Sequence, residues 1–376
     1  MTSLRVLVMT VVHHPHDTRI LVRQIAALTD AGHQVTYAAP FSAVGVAPPP
    51  GVVAFDLPRS RGRRRLSAAR AARRAVRELA AQHDVVLIHD PELVLAVTGV
   101  ADATVVWDVH EDTAAAVTYK EWIPSGLEAV AAAGVRMVER WAERRMDLLL
   151  AEPGYRDRFR RQHPIVPNST LIGDDAPPPG PGRAVCVSTL TRARGALDLI
   201  EVGRLLRPEG IVVDLIGPAS PDVADQLRRA DIDGDVRWHG RLPHDEVIER
   251  MRGATAGLSL LHNERNYRHS SPTKVFEYLA QGIPVVATPL PMVLEVVQRH
   301  EVGIIVPFRD PKSAAVAVVE LHGDEERRVR MGGNGVDAVR SEHNWADDAP
   351  NFVAAIEEAA RRRSRARASS PPQPPR

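Results

Sequence analysis

Short apolar runs alternate with helical patterns along most of this 376-residue chain. Leu4–Val12 is the first run and ends in a polar cluster, and Thr18–Asp30 follows it with apolar residues at helical spacing. A continuous apolar run of this kind is typical of a strand that is buried on both faces of a parallel sheet. The alternation therefore predicts an α/β fold with doubly wound sheets.

A segment rich in proline and glycine, residues 176–182, separates two such series. We predict a first domain at 1–175, a second domain at 183–343, a last amphipathic helix at 344–363 and a disordered tail at 364–376. Two Rossmann-like domains joined in this way face a cleft between the carboxyl ends of their sheets. After the first strand, the predicted strands are 34–39, 84–88, 104–109, 148–151, 184–187, 211–216, 235–238, 256–260 and 285–287.

Composition and charge exclude several classes of protein. The net charge of +1 argues against a protein that binds nucleic acid through its overall charge. The single cysteine, Cys186, lies in an apolar run, so we predict a buried strand thiol and neither an internal disulfide nor a cysteine metal site. No apolar run reaches the length of about 18 residues that a membrane span needs, and the N-terminus lacks a signal-peptide pattern. Both observations predict a cytoplasmic protein.

The sequence that follows Ser271 carries the most specific chemistry. Ser271 and Pro272 suit the cap and the first position of a helix that would end at Gly282. Lys274 and Glu277 lie three residues apart in this helix, so their side chains fall on one face. The helix N-terminus and the lysine suit phosphate groups, and the carboxylate suits ribose hydroxyls. The pattern predicts a nucleoside diphosphate site, with an ordinary surface ion pair as the alternative.

The same segment resembles the nucleotide-sugar signature of glycosyltransferase family 4, in the branch that reads Pro-x-Lys-x-Phe-Glu-Tyr-x-Ala-x-Gly-x-Pro-Val. The resemblance implies the GT-B fold, in which the last helix returns to the first domain. It also implies that a sugar is transferred from a nucleoside-diphosphate sugar with retention of configuration. The donor site would contain Lys274 and Glu277 together with the helix start at Ser271 and Thr273.

Three histidines lie in the loop His13–Arg19, which follows the first predicted strand. No ligand spacing for zinc accompanies them, so a loop that faces the cleft is favoured over a metal site. Asp17 and Arg19 match the Asp-x-Arg-Ile pattern of the family, which implies acceptor binding or support of the donor phosphate. The structural alternative is that Asp17 caps a helix and that Arg19 is exposed to solvent.

Two further polar breaks, His89–Glu92 and Asp108–Asp112, follow predicted strands. They resemble the His-Asp-Pro-Glu-Leu and Asp-Val-His-Glu landmarks of the same branch. The resemblance implies that His110 reaches the donor sugar beside its anomeric carbon, and that Glu111 and Lys120 lie on the acceptor side. A partly buried histidine that caps a helix is the alternative for His110.

The second predicted domain has a basic turn between its first strand and its first helix. Arg192 and Arg194 lie two residues apart just before Gly195, which suits bidentate binding of phosphate. The family has a basic residue and a glycine at this step, which implies contact with the diphosphate; exposed arginines without a ligand are the alternative. The resemblance also implies that the glycine-containing turns with Gly217, and with Arg241 and Leu242, approach the nucleobase.

Many family members have a second glutamate eight residues before the one at Glu277, where this chain has His269, so the resemblance leaves the donor sugar open. Asp231 and Asp233 have the spacing of metal-dependent transferases, but they lie in a predicted helix-to-strand turn and are interpreted as solvated. We therefore predict no metal and no cofactor. Protein cations would stabilise the leaving diphosphate, namely Arg192, Arg194 and Lys274.

The stretch Arg59–Arg77 is rich in arginine and alanine. A basic helix of this kind either makes peripheral contact with an anionic membrane surface or is a solvated surface helix.

These patterns, together with the family resemblance, predict a metal-independent glycosyltransferase of the hexosyltransferase type, and the resemblance implies that it retains configuration. Its acceptor would be a hydroxyl of a cell-envelope glycan, a glycolipid or a natural product. The alternative with the same fold is a nucleotide-sugar 2-epimerase. The alternative from a different class is a non-catalytic protein that binds nucleotide sugars, which the missing glutamate at His269 motivates.

Overall fold

The computed structural model of the protein describes residues 3–110, 128–173, 176–264, 267 and 273–368. Within this part of the chain, no helix combines the length and the hydropathy that a membrane span requires. The chain divides into two compact units, and each unit has a hydrophobic core of its own. The first unit comprises Met1–Pro167 and Ala346–Arg376, and the second comprises Asn168–Trp345.

The first unit contains a parallel sheet of six strands in the spatial order β3-β2-β1-β4-β5-β6. The strands are β1 (Arg5–Met9), β2 (Gln34–Ala39), β3 (Val53–Asp56), β4 (Val85–Ile88), β5 (Thr104–Val109) and β6 (Asp147–Leu150). A π-helical segment, Thr18–Ile25, follows β1. The α-helices are α1 (Ala26–Asp30), α2 (Phe41–Val44), α3 (Arg65–Leu79), α4 (Pro91–Ala96) and α5 (Glu128–Glu143).

The second unit repeats this plan with a parallel sheet in the order β12-β11-β10-β7-β8-β9. Its strands are β7 (Arg183–Val187), β8 (Val212–Ile216), β9 (Arg237–Gly240), β10 (Ala256–Ser259), β11 (Val285–Ala287) and β12 (Gly303–Ile305). Its helices are α6 (Ala196–Leu206), α7 (Pro221–Ile232), α8 (His244–Met251), α9 (Thr273–Ala280), α10 (Pro291–His300), α11 (Pro311–Gly323) and α12 (Glu325–Glu342).

The predicted fold class, two doubly wound α/β domains, is confirmed. The apolar runs that predicted strands form the buried centres of the sheets: Val6–Met9 and Val85–Ile88 have no exposed surface. The sequence missed β3 and β12, which are edge strands. Both are short and at least partly exposed, so neither carries the apolar run of a central strand.

Both sheets reverse their strand order next to their first strand, between β1 and β4 and between β7 and β10. In open α/β sheets such a reversal leaves a crevice at the carboxyl ends of the strands, and ligands bind there. The two crevices are therefore the first places in which to look for functional side chains.

The boundary between the units differs from the predicted linker at 176–182, because the second unit already begins at Asn168. The chain passes from one unit to the other twice, and hydrogen bonds within the second unit join the two passages. The backbone N–H of Thr170 donates to His343 O at 2.9 Å, and that of Trp345 donates to Thr170 O at 2.9 Å. The last helix, α13 (Trp345–Ala368), groups with the first unit from Ala346 onward.

This helix is longer than predicted. It continues past residue 363 to Ala368, so the first five residues of the predicted disordered tail are helical; residues 369–376 lie outside the described part. Arg362, near the end of the helix, donates to Asp147 Oδ1 at 2.8 Å and so holds this turn against the start of β6.

Candidate functional site

The crevice between β1 and β4 is built around a buried carboxylate. Asp90, which follows β4 and is fully buried, accepts hydrogen bonds from Thr10 Oγ1 at 3.0 and 3.1 Å and from the backbone N–H of Val12 at 3.1 Å. His13 Nε2 lies 3.3 Å from Asp90 Oδ1. These contacts hold the loop after β1 against the end of β4 and so fix the position of His13.

Asp108, in β5, is a fully buried carboxylate that pairs with Arg19. Arg19 donates from Nε to Oδ2 at 2.7 Å and from Nη2 to Oδ1 at 2.6 Å, and Gln24 Nε2 donates at 3.1 Å. Burial raises the pKa of Asp108, but Arg19 and the hydrogen bonds from two histidines outweigh it and hold the pKa well below its usual range. The alternative that Arg19 is exposed is wrong, since only 5% of this residue is exposed.

The two histidines that face this carboxylate are His89 and His110. Their Nδ1 atoms lie 3.2 and 3.3 Å from Asp108 Oδ2. Burial lowers the pKa of His89, and the attraction of Asp108 does not compensate, so the ring is neutral near pH 7. His110 continues the cluster, because its Nε2 lies 3.2 Å from His13 Nε2 and the two ring centroids are 4.9 Å apart.

His89, Asp108 and His110 are residue types that can bind a metal ion, and their ligand atoms lie within 4.8 Å of one another. The local electrostatics argue against a cation at this point. Both oxygens of Asp108 already accept hydrogen bonds from Arg19, and both Nδ1 atoms face a single oxygen. A divalent ion would have to displace the guanidinium or lie beside it, so the geometry favours a hydrogen-bonded cluster.

Asp17 closes the loop after β1 and caps the π-helical segment. It accepts from the backbone N–H groups of Arg19 at 2.9 Å and Ile20 at 3.2 Å, which is the predicted structural alternative. Burial raises its pKa, but the charges of His13 and His110 outweigh burial and lower it. The acceptor-side role of Asp17 and Arg19 stays a prediction. Two further residues with that predicted role, Glu111 and Lys120, lie outside the described residues.

In the second unit, α9 carries the predicted donor residues. Lys274 Nζ donates to Glu277 Oε2 at 2.7 Å, so the two side chains share one face as predicted. This is not an ordinary surface pair, because Glu277 is 4% exposed. Burial of a carboxylate is unfavourable without a partner, and the ammonium group of Lys274 supplies one while its side chain stays 39% exposed.

The start and the end of α9 can be compared with the predicted helix boundaries. Gly282 adopts a φ of +68°, and the backbone N–H of Ile283 donates to Tyr278 O at 3.0 Å, which completes the predicted glycine stop. The helix begins at Thr273, which is half-buried. The predicted cap residues Ser271 and Pro272 lie outside the described part of the chain, as does His269.

The turn Thr191–Gly195 lies at the carboxyl end of β7, next to the reversal of the sheet. Gly195 has a φ of +75°, and a Cβ at this position would lie 2.3 Å from Leu260 O, so a larger residue would push the turn away from the strand. Arg194 lies over this turn, with Nη1 3.3 Å from Ser188 Oγ and its guanidinium 5.6 Å from the ring centroid of Tyr267.

Arg192 is placed differently from Arg194. Its Nε donates to Asp222 Oδ2 at 3.1 Å, and the two side chains are 56% and 52% exposed. The predicted pair of phosphate-binding arginines is thus divided in this structure: Arg192 is held in an exposed ion pair at the start of α7, whereas Arg194 is partly buried.

The remaining predicted donor residues lie in turns at the ends of β8 and β9. Gly217 has a φ of +135°, and a Cβ there would lie 1.9 Å from Ser188 O, so the backbones meet at this point only because the residue is glycine. Arg241 is exposed and Leu242 is partly buried against the core. A cavity of about 590 Å³ elsewhere in the unit, lined in part by Arg252 and Val336, contains none of these residues.

The sequence analysis missed the role of Tyr278. Its hydroxyl accepts from the backbone N–H of Val187 at 2.7 Å and reaches Leu258 O at 3.4 Å, so it bridges β7 and β10 just beyond their last paired residues. The ring fits because position 257 is glycine: a Cβ there would lie 2.3 Å from Cγ and Cδ2. The signal was a glycine inside an apolar strand pattern, which often marks a close approach.

His262 was also missed. Its Nε2 lies 2.7 Å from Asp198 Oδ2, and its backbone N–H donates to Ala193 O at 2.9 Å. The two contacts join the segment after β10 to the turn that carries Arg194 and to the helix α6 that follows it. Cys186, by contrast, is the predicted buried strand thiol, and burial raises its pKa to about 12.

Comparison with known proteins gives a family match for part of the chain. Residues 171–337 match the model of the family Glycosyl transferases group 1. D-inositol 3-phosphate glycosyltransferase from Corynebacterium efficiens is 28% identical over 148 residues, which cover 38% of this chain. The match spans about a third (34%) of the length of that relative.

Solved structures extend the likeness over both units. Sucrose-phosphate synthase from Thermosynechococcus elongatus superposes with a TM-score of 0.70 at 17% identity and covers 98% of this chain and 100% of its own. Anabaena HepE, solved in complex with UDP-glucose, has a TM-score of 0.69 at 12% identity and covers 94% and 100%. These likenesses identify the fold as GT-B, as the sequence predicted.

Proposed function

We propose that this protein is a glycosyltransferase that moves a sugar from a nucleoside-diphosphate sugar to an acceptor hydroxyl, with retention of configuration. The observation that carries the proposal is the buried Glu277 paired with Lys274 at the start of α9. This pair lies within the segment that matches the glycosyl transferases group 1 model. A buried carboxylate that is paired with a lysine near a helix N-terminus is a candidate for a functional site.

The second unit supplies the groups that a leaving diphosphate needs. Departure of the diphosphate places negative charge on phosphate oxygens. Arg194, on the turn after β7, and Lys274, in the first turn of α9, are cations, and the N-terminus of α9 adds a positive dipole end. Glu277 would accept from the ribose hydroxyls, while Thr273, Gly217, Arg241 and Leu242 would complete the donor site together with Ser271. Arg192 would contribute once it exchanges Asp222 for phosphate.

In this proposal His110 orients the donor sugar, since a ring nitrogen can accept a hydrogen bond from a sugar hydroxyl. Asp108, held anionic by Arg19, fixes the ring from the Nδ1 side. Asp17, Arg19, Glu111 and Lys120 would serve the acceptor. Fixed protein charges would carry out the electrostatic stabilisation, so the reaction would need no metal and no cofactor.

The outer face of α3 gives the protein a candidate surface for peripheral contact with an anionic membrane. Ala68, Ala72, Ala75 and Val76 face the core, and the opposite face exposes four arginines around Leu66, which is 71% exposed: Arg70, Arg73, Arg74 and Arg77. Within the described residues, none of these four guanidinium groups pairs with a carboxylate. Each basic residue near an anionic surface contributes about 1 kcal/mol.

The segment that leads into α3 is joined to the loop after β1, because the backbone N–H of Ser60, five residues before the helix, donates to Val11 O at 2.7 Å. A lipid-linked acceptor held at α3 would therefore bind to the same unit as the loop that carries His13. Sedimentation with anionic and with neutral vesicles tests the proposal. Replacing the four α3 arginines by glutamine should abolish binding to anionic vesicles, while replacing four exposed arginines of the second unit (Arg204, Arg228, Arg330 and Arg340) should leave it unchanged. Equal loss in both variants would refute it.

The function itself is tested in two steps. A panel of nucleotide sugars, with UDP-glucose included because HepE binds it, is first screened for a rise in the unfolding midpoint. Release of nucleoside diphosphate from the best donor is then measured with and without a panel of acceptor alcohols. Release that depends on an acceptor supports the transferase. Conversion of the donor to its 2-epimer without an acceptor would support an epimerase, and stabilisation without any conversion would support a binding protein.

A further inference from the structure

The contact between His13 and His110 has a consequence for which ring nitrogen of His110 carries a proton. His110 Nδ1 lies 3.1 Å from the backbone oxygen of Asp108 and 3.3 Å from its carboxylate Oδ2. Both neighbours are acceptors, so they favour the hydrogen on Nδ1, and the contact at Nε2 decides together with them whether this tautomer prevails. In this form of the neutral ring Nε2 holds the lone pair.

His13 lies directly at that lone pair. Its Nε2 is 3.2 Å from His110 Nε2 and 3.3 Å from Asp90 Oδ1. Two acceptor atoms therefore face the same nitrogen of His13, which makes it a donor to both. The carboxylate of Asp90 cannot move away from His13, because it is fully buried and accepts hydrogen bonds from Thr10 and the backbone of Val12.

We propose that His13 is a positioning residue for the transfer reaction, which holds His110 in the Nδ1–H form with Nε2 as a hydrogen-bond acceptor. The inference rests on the proposed function for its link to activity. A sugar hydroxyl that donates to His110 needs this acceptor at Nε2, and a ring in the other tautomer would present an N–H instead. In the structure without a sugar, His13 makes the hydrogen bond that the hydroxyl would make.

The chain offers a matched control in the same loop. His16 is exposed, whereas the side chain of His13 is 18% exposed. Both are histidines within four residues of each other, so a change in the loop as a whole should affect both positions. A change that depends on the hydrogen bond to His110 should affect only His13.

The first test is nuclear magnetic resonance of the full chain labelled with ¹⁵N-histidine, with His110 assigned by means of His110→Gln. The wild-type protein should show His110 as a single Nδ1–H tautomer. His13→Ala should give a mixture of tautomers. His13→Gln keeps an N–H donor and should restore most of the wild-type signal. The control, His16→Ala, should leave the His110 signals unchanged. Identical His110 signals in wild type and His13→Ala would overturn the inference.

The second test uses turnover of the donor that the thermal panel selects. His13→Ala should lower kcat/KM for the donor about tenfold, as expected for loss of one hydrogen bond that selects the tautomer before the sugar hydroxyl replaces His13 at Nε2. His13→Gln should recover part of kcat/KM, and an unchanged kcat/KM in His13→Ala would overturn the positioning role. If the wild-type protein turns over no nucleotide sugar, the proposed function fails, whereas the resonance experiment still decides whether His13 sets the state of His110.

Discussion

Lys274 and Glu277 form an ion pair, with Nζ 2.7 Å from Oε2, in which the carboxylate is buried and the ammonium group reaches solvent. Lys274 lies in the first turn of α9, near the positive end of the helix dipole, and Glu277 lies one turn further along the helix. A ligand with both phosphates and a ribose could use both members: the ammonium group for charge and the carboxylate for hydroxyls.

Arg194→Ala should lower kcat about a hundredfold with the donor saturating, because a guanidinium that stabilises the leaving diphosphate contributes on the order of 3 kcal/mol in the transition state. Arg194→Lys should give an intermediate loss, since lysine keeps the charge but not the two parallel N–H donors. Arg204→Ala is the control, because Arg204 is exposed and pairs with Glu201 in the same helix, α6. A near wild-type rate in Arg194→Ala would show that the diphosphate binds elsewhere.

Turnover should persist in excess chelator, because the proposed charge stabilisation comes from protein groups. Asp231 and Asp233, whose spacing suggested a metal, are exposed, and Asp231 accepts from the backbone N–H of Trp238 at 3.0 Å. The rate of diphosphate release is measured before and after treatment with a chelator. Loss of the rate, restored by magnesium or manganese, would contradict this prediction and redirect attention to His89, Asp108 and His110.

The stability of the protein should fall on mild acidification because of His89. Folding lowers the pKa of this buried ring, so below a pH of about 6.5 the unfolded chain takes up the proton first. The free energy of unfolding should therefore decrease from pH 7 towards pH 5, by at most about 1.4 kcal/mol per pH unit from this group. Carboxylates whose pKa is lowered in the folded protein, such as Asp108, reduce the free energy of unfolding only at still lower pH, where the unfolded chain takes up their protons.

Urea unfolding at pH 7, 6 and 5 measures this slope. His89→Gln should reduce it, while His16→Gln, at an exposed position, should leave it at the wild-type value. An equal slope in His89→Gln and wild type would mean that burial does not shift the titration of His89.

Gly257→Ala should destabilise the second unit, because the new methyl group would lie 2.3 Å from the ring of Tyr278. Overpacking of this kind typically costs about 1–3 kcal/mol. Tyr278→Phe should also destabilise it, by about 1–3 kcal/mol, since the buried N–H of Val187 loses its acceptor. Gly333→Ala is the control: it lies on α12 with no atom near its Cβ position, so it should be neutral or slightly stabilising.

Denaturant unfolding of the three variants gives the comparison. If Gly257→Ala is as stable as wild type, the ring of Tyr278 is not held between β7 and β10 in the way described.

The sequence predicted those parts of the fold that depend on buried apolar runs. Leu4–Val12 and Ala184–Val187 form central strands because burial on both faces requires continuous apolar residues. The edge strands Val53–Asp56 and Gly303–Ile305 were missed because an exposed edge imposes no such pattern. The end of α9 was predicted from Gly282, since only a residue that tolerates a positive φ suits that turn.

The site was only partly predictable, for a different reason. Lys274 and Glu277 are neighbours in one helix, so their spacing predicted their contact. The contacts of His13 with Asp90 and His110 join residues from three strand ends, and no local pattern encodes them. Arg192 shows the same limit: its partner Asp222 lies 30 residues away, and this contact separates it from the predicted phosphate-binding pair.

Calorimetric titration of UDP into wild type and Glu277→Ala is the most direct test of the proposed nucleotide site. UDP is the probe because solved HepE, which shares the fold, was bound to UDP-glucose. We expect a saturable heat for wild type and a loss of at least tenfold in affinity for a folded Glu277→Ala, because the carboxylate would accept from the ribose hydroxyls. Glu249→Ala, which removes an exposed i,i+3 partner of Arg252, should bind as wild type does. If the folded Glu277→Ala protein bound UDP as tightly as wild type, Glu277 would not belong to the nucleotide site, and the central claim would be wrong.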